Sequence, residues 1–345
     1  MTGEVAVLFG LLRSALTGEP TDAPAGTDWQ RLFQLLQQNH VAALASEAFS
    51  HLPQEQKPPR SVLIPWLSER EKATAWYRHQ LDVQQEIEQL MQQHGIKTLA
   101  LKGSTLAQLY PRPELREFSD LDLYFYNRHA EADQLASKHL GVTISDDAHH
   151  HTKYNYRGVT VESHYDFLNI HTPPSNRRLE ELLKQLITDH RTPATFELLF
   201  LLRHAAGHFA ASRITLRDLV DWHLLSSAHR SDADWDVVAK AAKDSGMEGF
   251  VGVLNAIVAH CFGNGNPLPR STDATLIERV EHDTVYGSLE EHKEENLGRL
   301  LWKLRRYRAN RWKHRLAYSH DPAWRLFMAS LTAHAAKPRS ILHKM

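Results

Sequence analysis

The sequence predicts an α+β fold in which a small β-sheet lies between two helical regions. Two observations predict this class. Four short runs between residues 97 and 165 are rich in strand-forming residues or alternate in polarity, which is typical of β-strands. On both sides of these runs, apolar side chains recur at the spacing of amphipathic helices. The β-rich part is therefore expected to be an island within a mainly helical chain.

The N-terminal region is predicted to be helical and without a functional site. Apolar periodicity indicates three helices, at residues 4–16, 28–51 and 61–94. Thr27 or Asp28 can cap the second helix, and the proline- and charge-rich residues 54–60 form a loop. Gly95 is expected to end the third helix before a strand at 97–101. We interpret this region as a support for the sheet that follows.

Two aspartates follow one another on the strand predicted at residues 119–126. In the two-residue period of a strand, Asp120 and Asp122 point to one face, and Leu121 and Leu123 to the other. The Cα atoms of the aspartates are then about 6–7 Å apart, so both carboxylates can reach one hard cation or a pair of them. The sequence therefore predicts a site for divalent cations that a third acid would complete.

The third acid is expected in a β-hairpin. Two β-rich runs, at 152–157 and 159–165, flank Gly158, which is a hairpin signal. Within the second run, Glu162 and His164 share one parity. A lone acid in such a run is typical of a solvated edge strand, so the interpretation of Glu162 depends on the aspartates that precede it.

A resemblance to a known family connects these residues. The relevant motifs are Leu-Lys102-Gly103-Ser104, Tyr110-Pro, Arg116, Ser119-Asp120-Leu-Asp122-Leu and Val-Glu162-Ser-His164. Together they resemble the uncharacterised nucleotidyltransferases (the nucleotidyltransferase 5 group) of the polymerase-β-like superfamily. The likeness is close from Gly95 to Tyr165 and looser to about Trp222. It implies a small mixed β-sheet nucleotidyltransferase core, flanked by an N-terminal helical region and a C-terminal helical domain. We divide the chain accordingly into residues 1–94, 95–175, 176–268 and 269–345.

The resemblance also implies the chemistry. It marks Asp120, Asp122 and Glu162 as catalytic and metal-binding residues for Mg²⁺, with Mn²⁺ as a substitute. The expected reaction moves a nucleoside monophosphate from an NTP to an acceptor hydroxyl or phosphate and releases pyrophosphate. The residues expected to bind the nucleotide phosphates are Lys102, Gly103, Ser104, Arg116 and Ser119. Three of these have alternatives: Lys102 as a surface lysine, Arg116 as a partner of Glu114 or Glu117, and Ser119 as a turn residue.

Several polar residues are candidates for an acceptor pocket. This set comprises His164, His204, His208, Asp218 and Asp221. His204 and His208 lie one helical turn apart within residues 195–211, which is half of a zinc site without an evident third ligand. In the helix predicted at 215–226, Asp218 and Asp221 are placed to hold one tautomer of these histidines. His149–His151 are candidates for metal binding, but consecutive strand residues point to alternate faces and cannot all converge on one ion. A tract that touches substrate is the alternative, and we favour a solvated turn.

Composition limits the cellular setting. The net charge of −1 gives no general attraction to nucleic acid, and the single cysteine, Cys261, fits a reducing compartment. The N-terminus lacks the basic start of a signal peptide, and the apolar run from Phe250 to Phe262 is too short to span a bilayer. We therefore expect a soluble cytoplasmic protein.

The end of the chain is basic and aromatic. From Leu301 to Met345 eleven lysines and arginines accompany one acid, Asp321, and the preceding residues 278–295 are acidic. We expect this segment to pack within the molecule or to make weak contact with a membrane surface. The acceptor is expected to be a small molecule, with tRNA or protein less favoured. The alternative functions are a toxin-like enzyme of the same fold that modifies tRNA or protein, a non-catalytic scaffold, and a zinc hydrolase using His204 and His208.

Overall fold

A computed structural model describes residues 3–146, 150–169, 174–187, 193–263, 266–291, 299–322 and 324, with the backbone alone for 288–291 and 299–307. These residues form four strands and thirteen α-helices. The strands are β1 Leu99–Ala100, β2 Asp120–Tyr124, β3 His151–Tyr156 and β4 Val159–His164. The helices are α1 Gly3–Thr17, α2 Trp29–Gln38, α3 Ala42–Ala45, α4 Arg60–Gln93, α5 Ser104–Ala107, α6 His129–Leu140, α7 Ser175–Leu186, α8 Ala194–Ala211, α9 Leu216–Ala228, α10 Trp235–Asp244, α11 Glu248–Phe262, α12 Ala274–Glu291 and α13 Arg299–Ala317. The α+β class is confirmed.

The sheet is mixed, as expected. Its strand order is β1-β2-β4-β3, in which β2 and β4 run parallel and the two outer pairings are antiparallel. The predicted hairpin joins β3 to β4 through Arg157 and Gly158, both of which have positive φ angles. Two such residues in succession match the twist of antiparallel strands, and glycine adopts this conformation without steric cost. The hairpin places β4 in the middle of the sheet, beside β2.

One face of the sheet is apolar and buried. Leu121 and Leu123 of β2 and Val161 of β4 pack with apolar side chains of α4 and α6, including Ile87 and Ala136. The side chains of Asp122 and Glu162 alternate with these residues and lie on the opposite face. The alternation of the sequence thus separates an apolar support from a polar site.

The helical regions at the two ends of the chain share a second core. It includes Leu8 and Leu36 from α1 and α2, and Phe209 and Phe250 from α8 and α11. Segments 1–94 and 176–268 therefore pack against each other in this core. The domain boundaries themselves stay a prediction.

The single helix predicted at residues 28–51 is wrong. Asp28 does cap α2, since its side chain accepts a hydrogen bond from the amide of Arg31. The helix ends after Gln38, because His40 adopts a left-handed backbone with φ of 56°. The Asn39 side chain donates to the carbonyls of Leu35 and Val285 and so fixes this break.

Helix α7 was not predicted from the sequence, although its leucines have helical spacing. The buried side chain of Arg203 on α8 anchors its first turn, donating to Asn176 Oδ1 at 2.6 Å and Ser175 Oγ at 2.5 Å. The same guanidinium lies over the Tyr318 ring, with its Cζ atom 4.2 Å from the ring centroid. A single buried arginine therefore joins α7, α8 and the turn after α13.

The described part of the basic C-terminal segment packs within the molecule, which is the first of the two arrangements expected from the sequence. Lys313 of α13 is buried, and its Nζ lies 2.6 Å from Asp283 Oδ1 on the acidic helix α12. Arg279 of α12 stacks over Trp312, with its Cζ atom 3.9 Å from the ring centroid. Residues 292–298, 323 and 325–345 lie outside the described part. Among the helices that the structure describes, none combines the length and the apolar character needed to cross a membrane.

Candidate active site

The polar face of the sheet brings the predicted acids together. In the parallel pairing of β2 and β4, Asp122 lies directly opposite Glu162, and Asp120 lies opposite Thr160. Paired residues on neighbouring strands point to the same side. Asp120 and Glu162 are half-buried, whereas Asp122 is only 2% exposed. The strand register therefore brings Glu162 next to two aspartates that precede it by 42 and 40 residues in the chain.

Asp122 is the most closely surrounded of the three. Its Oδ1 atom lies 3.2 Å from Lys102 Nζ and 3.1 Å from His164 Nε2. Its Oδ2 atom is buried and has no hydrogen-bond partner among the described residues. Burial opposes ionisation, but the positive charge of Lys102 and the contact with His164 outweigh it and hold the pKa of Asp122 well below its usual value. Asp122 is thus an ionised carboxylate whose Oδ2 atom is available to bind a ligand.

Glu162 has a different environment. Its Oε1 atom lies 3.4 Å from both His151 Nε2 and Lys153 Nζ, and its Oε2 atom lies 3.9 Å from His164 Nε2. Burial, together with the charges of Asp122 and Asp120, raises the pKa of Glu162. The raised pKa thus reflects burial first and then repulsion between the acids, and a bound cation would remove that repulsion.

The interpretation of the histidine run as a solvated turn is wrong for its described members. His151 is buried as the first residue of β3 and pairs with His164, whereas His150 precedes the strand and is half-buried. Because His150 is outside the strand, the alternation of strand side chains does not separate it from His151. Their ring centroids are 4.5 Å apart and lie 5.4 and 5.0 Å from that of His164. Burial, followed by the neighbouring His164, lowers the pKa of His150 and of His151 to about 3, which keeps both rings neutral. His149 lies outside the described residues.

A cleft separates Asp120 and Asp122 from α8 and α9. Its walls include Lys102, Gly103, Phe118, Asp120 and Asp122 on one side and His204, Arg217, Asp218 and Asp221 on the other. Lys102 Nζ donates to His204 Nε2 at 3.3 Å and so links the walls. Burial and this ammonium lower the pKa of His204 well below its usual value. The contacts of Lys102 exclude the alternative of a free surface lysine.

The pair His204 and His208 has the predicted one-turn spacing, with ring centroids 4.4 Å apart. His204 faces the cleft, whereas the side chain of His208 is exposed. Among the described residues, no third histidine, cysteine or acid joins them in a group that could hold a metal. The zinc hydrolase interpretation therefore gains no support from this part of the chain.

The two aspartates of α9 do not hold the histidine tautomers as expected. Asp218 accepts hydrogen bonds from the backbone amide and hydroxyl of Thr215, forming the capping box that begins α9. Asp221 accepts two hydrogen bonds from Arg116, at 2.8 and 2.7 Å, and one from the Tyr110 hydroxyl at 2.7 Å. Both groups of the Arg116–Asp221 pair are almost completely buried. Arg116 therefore pairs with Asp221, not with Glu114 or Glu117.

The turn at Gly103 depends on this pair. Arg116 Nη1 donates to the carbonyl of Gly103 at 3.1 Å. Gly103 has φ of +70°, and a Cβ atom there would lie 3.2 Å from the Phe118 ring. Ser104 follows as the buried first residue of α5, while Ser119 is exposed just before β2. Contact of Gly103, Ser104 and Ser119 with phosphate stays a prediction.

Gly103→Ala is expected to destabilise the fold by about 1–2 kcal/mol more than Gly141→Ala does. Both glycines have positive φ, but Gly141 has ψ of 22° in open space, whereas Gly103 has ψ of −103° and faces the Phe118 ring. The difference between the two losses therefore measures the backbone conformation of Gly103 and the Phe118 contact together. Urea denaturation of both variants checks this. Equal losses would show that neither of them constrains the turn.

Arg217 is a cleft residue that the sequence did not single out for a role. Its Nη1 donates to the carbonyl of Glu117 at 3.0 Å, and its Nε is buried without a partner in the described structure. It is the second residue of α9, beside the capping box of Thr215 and Asp218. The sequence indicated its position only weakly, because it shows an arginine near the start of a helix without showing what that helix packs against.

Comparison with known proteins decides the family. The family described as uncharacterised nucleotidyltransferase matches residues 25–263, which is more than half of the chain. The chain belongs to this nucleotidyltransferase family. As a member, it is a transferase of phosphorus-containing groups. The match covers the sheet and α8, α9 and α11, so it extends beyond the sequence resemblance in both directions. Searches of curated proteins and of solved structures gave no significant match.

Proposed function

We propose that this nucleotidyltransferase transfers a nucleoside monophosphate from an NTP to an acceptor hydroxyl or phosphate, and that it requires Mg²⁺ or Mn²⁺. The observation that supports it best is the register of β2 and β4, which sets Asp122 opposite Glu162 with Asp120 on the same face. Three carboxylates on one face of the sheet, two of which line a cleft, suit nucleotidyl transfer, because the reaction requires charge on phosphate oxygens to be neutralised.

The side chains present fit a divalent cation. Asp122 Oδ2 is a buried acceptor without a partner among the described residues, and oxygen donors suit Mg²⁺ and Mn²⁺. Asp120, Asp122 and Glu162 would hold the metal, which when bound activates the α-phosphate as a Lewis acid and neutralises charge on the departing pyrophosphate. Repulsion between the three acids gives a physical reason why the site would bind a divalent cation, because the cation would neutralise their charge.

The cations of the cleft are suited to the triphosphate. Lys102 reaches the centre of the site as a point charge on a flexible stem, and Arg217 has a buried Nε with no partner in the described structure. Arg116 has three of its donor groups engaged by Asp221 and Gly103, so its part in phosphate binding is to fix the Gly103 turn. His204, Asp218 and Asp221 face the carboxylates across the cleft and would line the acceptor side.

The cellular setting is part of the same proposal. Cys261 is free and buried, which is consistent with the cytoplasm that the sequence predicts. The weak membrane-surface contact predicted for the basic C-terminal segment stays a prediction, and Lys313, which packs inside the molecule, does not contribute to it.

Label transfer tests the proposed reaction. The protein is incubated with Mg²⁺, a soluble cell extract as the source of acceptors, and each NTP labelled at either its α- or its γ-phosphate. We expect label from the α-phosphate to enter an acceptor, and label from the γ-phosphate to appear in pyrophosphate. Separation into small molecules, RNA and protein then identifies the acceptor class. Transfer of the γ-phosphate instead, or turnover that is equal in an Asp120→Ala, Asp122→Ala variant, would refute the proposal.

A further inference from the structure

We propose that His164 is a metal ligand beside Asp122 and Glu162, so that this site binds Mn²⁺ and heavier first-row divalent ions more tightly than Mg²⁺. The inference rests on the proposed function, since it concerns the same site. It adds a nitrogen ligand to a set of carboxylates, and a nitrogen ligand changes which metal is preferred.

The position of His164 meets the geometric requirement. It follows Glu162 by two residues on β4 and therefore points to the same face, and the side chain is almost completely buried. Its Nε2 lies 3.1 Å from Asp122 Oδ1 and 3.9 Å from Glu162 Oε2. Two ligand atoms at right angles, each about 2.1 Å from one ion, lie about 3 Å apart. The first separation matches this value, and the ligand atoms of all three side chains lie within 4.8 Å of one another, close enough to surround a single ion.

The hydrogen bond of His164 Nδ1 determines which of its ring nitrogens can bind a metal. His164 Nδ1 lies 3.2 Å from the backbone carbonyl oxygen of Asp166, which can only accept, so Nδ1 carries the hydrogen. Nε2 is then the ring nitrogen that faces Asp122 Oδ1, and it is the atom that a cation between the two side chains would meet. An Nδ1–H donated to a backbone carbonyl is also the usual support of a metal-binding histidine.

The neighbouring groups are compatible with this assignment. Lys102 Nζ contacts the same Asp122 oxygen, but its flexible chain also reaches the cleft, where the triphosphate would bind. His151 Nε2 lies 3.4 Å from Glu162, so the surroundings of the carboxylate contain more nitrogen. Carboxylates suit Mg²⁺ and Mn²⁺ alike, whereas imidazole favours the transition metals, and the mixed set therefore favours Mn²⁺ over Mg²⁺.

Electron spin-echo spectroscopy of bound Mn²⁺ tests the ligand directly and needs no turnover. The full-length protein is loaded with Mn²⁺, once unlabelled and once with ¹⁵N-histidine. We expect the unlabelled protein to show the coupling of a directly bound ¹⁴N, and the labelled protein to replace it by ¹⁵N coupling. In His164→Gln the coupling should disappear, and the Kd for Mn²⁺ should rise at least about tenfold, with a smaller change for Mg²⁺. His260→Gln, an exposed histidine on α11, is the matched control and should keep both properties.

The outcomes separate the two proposals. Absence of histidine nitrogen coupling in wild type, or its persistence in His164→Gln, would overturn the ligand assignment. If His164 is instead a charged donor to Asp122, wild type shows no bound nitrogen and His164→Gln binds Mn²⁺ no more weakly. In either case α-label transfer would still stand as a test of the proposed function. Nitrogen coupling without any α-label transfer would support the metal site and refute the reaction.

Discussion

Asp122→Asn is expected to lower nucleotidyl transfer at least about a hundredfold while the chain stays folded. The substitution keeps the size of the side chain but removes the charge at the centre of the site, between Lys102 and His164. It also breaks the ion pair with Lys102, and the lowered pKa of Asp122 means that this charge stabilises the fold. We therefore expect a measurable loss of stability, partly offset because repulsion from Glu162 is removed. Rates of α-label transfer and urea denaturation of the same preparations measure the two effects.

Asp133→Asn is the matched control for this prediction. Asp133 is also a buried acid, but it lies on α6 and accepts a 2.6 Å hydrogen bond from the Thr152 hydroxyl, away from the cleft. Its variant is expected to transfer label at close to the wild-type rate. If Asp122→Asn were as active as Asp133→Asn, Asp122 would not be a catalytic residue.

Arg116→Ala is expected to lower the free energy of unfolding by about 3–5 kcal/mol. The guanidinium donates to both oxygens of Asp221, and each of the two side chains is less than 5% exposed. Removing it leaves the charge of Asp221 buried with the Tyr110 hydroxyl as its one remaining donor among the described residues, and the Gly103 carbonyl keeps only its bond from the Ala107 amide there. Urea denaturation followed by circular dichroism measures the loss.

Arg112→Ala provides the comparison. Arg112 pairs with Glu114 and Glu47, but its side chain is 42% exposed, and pairs of this kind contribute about 1 kcal/mol or less. A loss for Arg116→Ala no larger than for Arg112→Ala would show that the buried pair does not stabilise the fold.

Features set by local sequence pattern were predictable. The strand period placed Asp120 and Asp122 on one face, and the hairpin signal at Gly158 located β3 and β4 to within a residue. The register of β2 against β4 is different, because these strands are 34 residues apart in the chain and local pattern does not fix their alignment. Only the resemblance to the family connected Glu162 with the aspartates.

Long-range contacts between side chains could not be predicted. Arg116 and Asp221 are 105 residues apart, and the sequence offered Glu114 and Glu117 as nearer partners for the arginine. The gathering of His150 and His151 around His164 depends on where β3 begins, and a shift of one residue would reverse the direction of each side chain. The residues of the site that sequence analysis misjudged are therefore those whose partners lie on other elements.

Calorimetric titration of NTP in the presence of Mg²⁺ tests the central claim most directly. Each NTP is titrated into wild type and into the Asp120→Ala, Asp122→Ala double variant, with and without the metal. We predict metal-dependent binding of at least one NTP by wild type and its loss in the folded variant. Binding of equal strength in both proteins would contradict the claim that the carboxylates on β2 form the nucleotide and metal site. Failure of folded wild type to bind any NTP with Mg²⁺ or Mn²⁺ would also contradict it and would favour a non-catalytic scaffold.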